Sequence, residues 1–406
     1  MKVINADNES INKLINRDDS GRIRLQKKVS KILDEVRTGG DKALIKFTKK
    51  FDKVELKKKT IRVSEAEISG AYQHIKPELI NTLKEIIQNV NKFYLKQKPK
   101  SWTIKQEGIE LGEKFSPIEN VGVYVPAGTA PLVSSVYMTV LPAKMAGVKK
   151  IVMVSPPNEY GTIDPHILVV ANLLKVDEIY KLGGAQAIAA LAFGTKTVPK
   201  VDKIVGPGNE FVTEAKRQVF GYCDIDMLAG PSEVLIIANH HANIDYLKKD
   251  LMSQAEHHKG LSVLVTTSQK VFNALKDDKE VEGFMIKAKN LDEAADISNR
   301  IAPEHLQLMV KSPNRLLKKI TNAGAIFVGQ YTPVAVGDYI AGPSHVLPTG
   351  GTASYFSGLN LRSFVKSSHI ISYSKKALMS SASWVKEITE LEQLVHHWES
   401  VKVRCE

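Results

Sequence analysis

The sequence predicts an α/β protein of two lobes, each built on a parallel sheet. Three observations lead there. Its 406 residues correspond to two to four domains at roughly 100 to 200 residues each. The composition is that of an ordinary globular chain, with 43% hydrophobic and 25% charged residues, 26 Gly and 17 Pro. From about Val121 onward, short apolar runs alternate with helix-length segments, the pattern of strand–helix–strand units.

Residues 21–100 read as helical and Lys-rich. Leu79, Ile80, Leu83, Ile86, Ile87, Val90 and Tyr94 recur at intervals of three and four, and Pro77 suits a first turn. A first set of strands is expected at Val121–Val125, Lys150–Ser155, Glu178–Leu182, Lys203–Val205 and Glu233–Ala238. A second set is expected at Leu261–Thr267, Glu282–Ile286, Leu306–Val310 and Ala325–Val328. No short-period repeat is visible, although the two lobes could be distant relatives of one another. Residues 329–358 are rich in Gly, Pro and Ser, and a loop of that length usually carries function. Helical periodicity returns at the end of the chain.

Composition also excludes. No apolar run reaches the roughly 18 residues of a membrane span, and Met1–Asp7 lacks the pattern of a secretory signal, so the chain reads as cytoplasmic. The net charge of +12 is dispersed, its densest run being Lys57-Lys58-Lys59, which argues for a solvated surface over nucleic-acid binding. A positive potential still favours an anionic ligand such as a dinucleotide. Two cysteines, Cys223 and Cys405, make neither a disulfide framework nor a Cys-rich zinc module, so any metal must rely on His, Asp, Glu or Gln. Cys223 stands beside Asp224, which would raise its pKa and argues against a nucleophile.

Several segments carry candidate chemistry. Gln254 and His257 are three apart on a helix and project from one face toward a common ion or ligand, or else meet a helix C-terminus. Glu304 and His305 sit side by side where a helix gives way to a strand, an arrangement suited to proton transfer or to capping. Asp338 lies in the glycine-rich loop, and Glu392 and His397 are five apart near the end; two His, one Asp and an amide oxygen would make a cysteine-free zinc site. Gly206-Pro207-Gly208-Asn209 joins a strand to a helix and reads as a phosphate cradle or a plain tight turn. No G-x-G-x-x-G accompanies it. Gly183-Gly184-Ala185-Gln186 makes a similar junction, and Tyr124 ends a strand where it could stack on a flat ligand.

In order along the chain, these segments resemble the histidinol dehydrogenases: V-G-V-Y-V-P-A-G from Val121, G-G-A-Q-A from Gly183, V-G-P-G-N-E from Val205, D-M-L-A-G-P-S-E from Asp226, S-Q-A-E-H from Ser253, A-P-E-H-L from Ala302, G-D-Y-I-A-G-P-S-H from Gly337 and E-Q-L-V-H-H from Glu392. The resemblance implies a zinc-dependent enzyme that uses two NAD to take L-histidinol through L-histidinaldehyde to L-histidine. It implies two incomplete Rossmann-like lobes with parallel sheets plus small helical N- and C-terminal elements. The divisions expected are 1–21, 22–123 with 234–358 as the first lobe, 124–233 as the second, and 359–406. A homodimer is implied, in which the C-terminal segment completes the partner's site.

Carried over by motif, Gln254, His257, Asp338 and His397 would ligate zinc, and with Ser232, His305 and Glu392 would contact substrate, His345 being a further candidate. His305 would take the hydroxyl proton and Glu304 would activate water. Tyr124, Gln186 and Asn209 would line the NAD site. The chain departs from the family pattern in carrying Gln393 where Gly is usual, Ser344 where Asn is usual, and second histidines, His258 and His396, beside two expected ligands. A sister dehydrogenase of another small diol or amino alcohol would keep NAD and Glu304–His305; the carboxylate Glu392 favours histidinol.

Overall fold

The computed structural model describes residues 1–15, 22–127, 130–257 and 259–406. Fourteen strands are named in chain order: β1 (Lys2–Ile4), β2 (Trp102–Gln106), β3 (Ile109–Pro117), β4 (Asn120–Tyr124), β5 (Lys150–Ser155), β6 (Glu178–Lys181), β7 (Lys203–Val205), β8 (Asp224–Ile225), β9 (Glu233–Ala238), β10 (Leu261–Thr266), β11 (Phe284–Lys287), β12 (His305–Met309), β13 (Ala325–Val328) and β14 (Val365–Tyr373).

They form two parallel sheets and one antiparallel sheet. The first lobe's sheet runs β1-β11-β10-β9-β12-β13 and the second lobe's β6-β5-β4-β7-β8. Setting β1 aside, both follow the same winding, with the first strand central, the next two added on one side and the last two on the other. This shared order is what distant relatives of one unit would have. Both faces of each sheet are covered, so the strands are apolar on both sides. In the second lobe Val121, Val123, Ile151 and Met153 face the helices Pro77–Tyr94, Val133–Ala146 and Pro165–Leu173. Tyr124, Val152 and Val154 face Arg22–Gly39, Asp41–Phe51, Gly184–Phe193 and Glu210–Val219. The first lobe is layered likewise, Leu235 and Val263 packing on one side and Val234 and Leu264 on the other. Among the described residues no helix is long and apolar enough to cross a membrane.

Three sequence expectations change. The segment 22–94 was assigned to the first lobe, but its helices pack on the second: Val29, Ile32, Leu33 and Val36 share a core with Ala185–Ala192, and the helix Pro77–Tyr94 lies against Val133–Ala146. The N-terminal element is not purely helical, because β1 pairs in parallel with β11 before the helix Asn8–Ile15 begins; the rest of that element, residues 16–21, lies outside the described residues. The C-terminal element is likewise not purely helical. Its β14 pairs along its whole length with β3, which turns at Glu107–Gly108 into β2. Beyond β14 the helices Lys375–Leu391 and Val395–Cys405 pack on each other.

Candidate active site

Parallel pairing of β9 with β12 builds the center of the site. His305, first residue of β12, is in register with Val234 of β9, so Glu233, which opens β9, and Ser232 before it meet Glu304, the residue just before β12, at the amino ends. The preceding helix Leu291–Ile301 ends on Ala302 at φ 48°, a left-handed turn that costs about 1 kcal/mol or more in a non-glycine residue and delivers the chain into Pro303. Glu304 Oε2 accepts hydrogen bonds from the Ser232 hydroxyl (2.8 Å) and the Glu233 N–H (2.7 Å). His305 Nδ1 lies 2.9 Å from the Glu233 carbonyl, an acceptor only, so Nδ1 carries the proton and donates. In the neutral ring that tautomer leaves the lone pair on Nε2, which is buried with no hydrogen-bond partner. Asp338 Oδ1 stands 3.6 Å away.

Both buried groups are displaced from their ordinary values. Burial pushes the Glu304 carboxyl up to about 7, against the opposing charge of His305 and its two hydrogen bonds. Burial alone would lower His305, but the adjacent Glu304 and Asp338 carboxylates outweigh it and push the imidazole up to about 9.

Asp338 reaches the site from the helix Val334–Tyr339 in the glycine-rich segment. Gly337 is what lets that helix approach: a Cβ there would come within 2.6 Å of the Phe327 ring, which itself lies against the His305 ring. The Asp338 carbonyl is 3.0 Å from His345 Nδ1, and His345 Nε2 is 3.4 Å from the Ser135 hydroxyl. His345 is pulled below its ordinary value by burial, opposed by Asp338, with the charges of His305 and His257 acting in the same direction as burial. His257 therefore borders this region. A cavity of about 380 Å³ opens beside His305, Asp338 and His345, walled by Phe93, Gln97 and Phe327.

Gln254 lies buried on the helix Ile244–Ala255, its Nε2 lacking any hydrogen-bond partner; His257 follows, exposed. The alternative ligand His258 lies outside the described residues. His397 and Glu392 are exposed in the terminal helix pair, where their backbone hydrogen bonds stay. His396 is tied to Glu399 at 2.7 Å. Among the described residues no three His, Cys, Asp or Glu side chains gather into a metal cluster. One chain thus joins Ser232, Glu304, His305 and Asp338, sets His257 near them, and leaves His397 and Glu392 apart.

In the second lobe the strand order reverses between β4 and β7, and the carboxyl ends of such a pair are where an open sheet admits ligands. Tyr124 ends β4 buried, its hydroxyl accepting from the Gly184 N–H at 3.1 Å. Gln186, in the first turn of Gly184–Phe193, is buried with Oε1 unpartnered. Asn209 caps the helix Glu210–Val219, its side chain accepting from the N–H groups of Phe211 and Val212. Gly206 has φ 116° and its missing Cβ would sit 2.1 Å from the Tyr124 carbonyl, so the turn presses on β4 as only glycine allows.

A family model described as histidinol dehydrogenase matches residues 15–405. The chain belongs to the histidinol dehydrogenase family. It is 47% identical to the histidinol dehydrogenase of Caldanaerobacter subterraneus subsp. tengcongensis, over 97% of this chain and 95% of that one. It is 47% identical to that of Bacillus cereus, over 94% and 93%. The crystal structure of histidinol dehydrogenase from Elizabethkingia anophelis superposes with a TM-score of 0.93 at 38% identity, covering 100% of this chain and 98% of that one. A betaine aldehyde dehydrogenase from Staphylococcus aureus, with a TM-score of 0.50 at 12% identity, shares the fold alone. Membership makes this chain an NAD-dependent oxidoreductase of histidine biosynthesis, acting on histidinol.

Sequence reasoning missed Glu233. Its carbonyl sets the His305 tautomer, its N–H holds Glu304, and its carboxylate accepts from the Gly350 N–H at 2.8 Å. An acid opening an otherwise apolar strand was the available signal. Cys223 is buried, its thiol pushed up to about 12 by burial and then by Asp224, which agrees with its exclusion as nucleophile.

Proposed function

We propose that this histidinol dehydrogenase carries L-histidinol through L-histidinaldehyde to L-histidine in two successive oxidations at Glu304–His305, with two NAD and one zinc ion. The observation that carries the reading is the open Nε2 of His305, aimed by the Glu233 carbonyl and buried beside a carboxyl held up by burial.

The residues present fit zinc. Imidazole, carboxylate and amide oxygen are its donors, and Gln254 offers a buried, unpartnered amide whose two ends exchange by a flip. Gln254, His257, Asp338 and His397 would hold it. Bound zinc would grip the substrate's imidazole and amine, and bound NAD would accept hydride.

Neutral His305 takes the proton from the substrate hydroxyl at Nε2 as hydride leaves the adjacent carbon. Asp338 engaged by a cation would no longer stabilise the imidazolium, which would favour the neutral base. Glu304, with a pKa near the working range of a general base, takes a proton from water as that water adds to the aldehyde. His305 returns its first proton to the aldehyde oxygen as the hydrate forms, and so is neutral again to take a hydroxyl proton as the second hydride leaves. Ser232 steadies the Glu304 carboxylate and reaches the same space. Tyr124, Gln186 and Asn209 line the dinucleotide crevice; Asn209 spends its oxygen on its own helix and keeps its NH₂ for a ligand.

His397 and Glu392 act from a partner subunit. Two features support this: one chain keeps them apart from Asp338, and its terminal region bears an exposed apolar surface. Ile104, Leu111 and Ile371 lie directly across from one another on β2, β3 and β14, while Trp384, Leu391 and Val395 stand out from the helices.

The test is product stoichiometry with zinc-loaded protein. Two NADH per histidinol consumed, with other small diols and amino alcohols inert, is the expected result. Turnover of another alcohol alone would move the assignment to a sister enzyme.

A further inference from the structure

Lys216 and Asp226 form an ion pair with both side chains sealed from solvent, and the mechanism above does not use it. Burying two charges is expensive unless the remaining hydrogen-bonding capacity is also satisfied. Here that capacity is directed at one peptide. Lys216 Nζ donates to the Gly206 carbonyl at 3.0 Å, and Asp226 Oδ2 accepts from the Gly206 N–H at 2.7 Å. The other carboxylate oxygen accepts from the Met227 N–H at 2.6 Å. Gly206 is thereby held from both sides, in the left-handed backbone region and against the Tyr124 carbonyl.

We infer that the Lys216–Asp226 pair is a positioning device for the dinucleotide: it presets the Gly206–Asn209 turn before NAD arrives, so that binding does not have to order it. This rests on reading the crevice at Tyr124, Gln186 and Asn209 as the NAD site. The connector from Met227 to Ser232 has ties of its own, Thr213 Oγ1 to the Ala229 carbonyl at 2.9 Å and the Gly230 N–H to Thr349 Oγ1. Loosening the pair therefore acts on the dinucleotide far more than on the alcohol.

Lys216→Met alone leaves a buried carboxylate without its counter-charge and lowers the melting temperature; adding Asp226→Asn removes that charge and recovers much of the loss. The double variant nevertheless loses the ammonium that held the Gly206 carbonyl, and leaves one neutral amide oxygen where two carboxylate oxygens served the Gly206 and Met227 N–H groups. Its KM for NAD is expected to rise roughly tenfold or more, with kcat at saturating NAD and the histidinol KM within about threefold of the parent. Recovered stability with an NAD KM within about twofold of the parent overturns the proposal. Gln186→Ala and Asn209→Ala are measured alongside. If they raise the NAD KM and the double variant does not, the clamp alone falls; if none of them does, the crevice assignment falls with it. Hydrogen exchange on the NAD-free parent gives a check that needs no variant. The Gly206 amide is expected to be strongly protected, and exchange at the rate of an open loop would refute a preset turn.

Discussion

At His305 the question is which nitrogen does the work, and the Glu233 carbonyl answers it by holding the proton on Nδ1. His305→Ala removes the base while leaving every proposed zinc ligand in the chain, so kcat is expected to fall by about 10²–10⁴-fold while zinc content is kept. His397→Ala should instead lose zinc. Kinetics paired with metal analysis separates the two, and a His305→Ala enzyme with parental kcat refutes the base assignment. Asp52, beside Gly183 and Tyr124, offers a test read in stability. Burial pushes its carboxyl up to about 6, and its Oδ2 is buried without a partner. The folded protein holds this proton more tightly than the unfolded chain, whose group titrates near the ordinary aspartate value of 3.8. Stability from this group is therefore present at acid pH and lost as pH rises toward 6. Asp52→Asn is expected to stabilise the protein near neutral pH by on the order of 1 kcal/mol after allowance for solvent screening, and to flatten the slope between those values. Melting curves across that range decide it. Glu304 and His305 were legible in the sequence because they are neighbours in it; Glu233, 71 and 72 residues away from them, was not, because only strand pairing brings it there.

Among the elements, apart from the short and partly exposed β1 and β8, which no apolar run marked, the parallel strands were legible to within a residue or two because burial on both faces leaves continuous apolar runs between helices. The antiparallel sheet was not. β2 is exposed at every position and β14 nearly so, which leaves Thr, Lys, Ser and His among the apolar residues and blurs any run. The short helix Val334–Tyr339 was read only as a functional loop, yet it is the element that delivers Asp338. Its placement depends on Gly337. Gly337→Ala would drive a methyl into the Phe327 ring, and overpacking of this kind costs typically 1–3 kcal/mol. Because the strain is relieved by moving the helix, zinc affinity is expected to drop along with melting temperature. Metal titration beside thermal unfolding tests this, and lost stability with unchanged zinc affinity would show that the helix does not set Asp338.

For the molecule as a whole, local sequence could not say which sheet the N-terminal helices cover, since either lobe offers an apolar face and only tertiary packing chooses the second. The same holds for the terminal helices, whose Trp384 is 70% and Leu391 79% exposed in the single chain. If a partner supplies His397, each site combines His305 from one subunit with His397 from the other. His305→Ala and His397→Ala subunits, each inactive alone, then complement when mixed. In a mixed dimer one site carries both lesions and the other carries neither. Random exchange at equal amounts makes half of the dimers mixed, so about a quarter of parental activity is expected to return. Were His397 to serve its own chain, every site would keep one lesion and mixing would restore nothing. Reversible dissociation, mixing and an NADH assay distinguish the two arrangements, and a return near a quarter, with no gain in either variant treated alone, places the terminal helix across the subunit boundary.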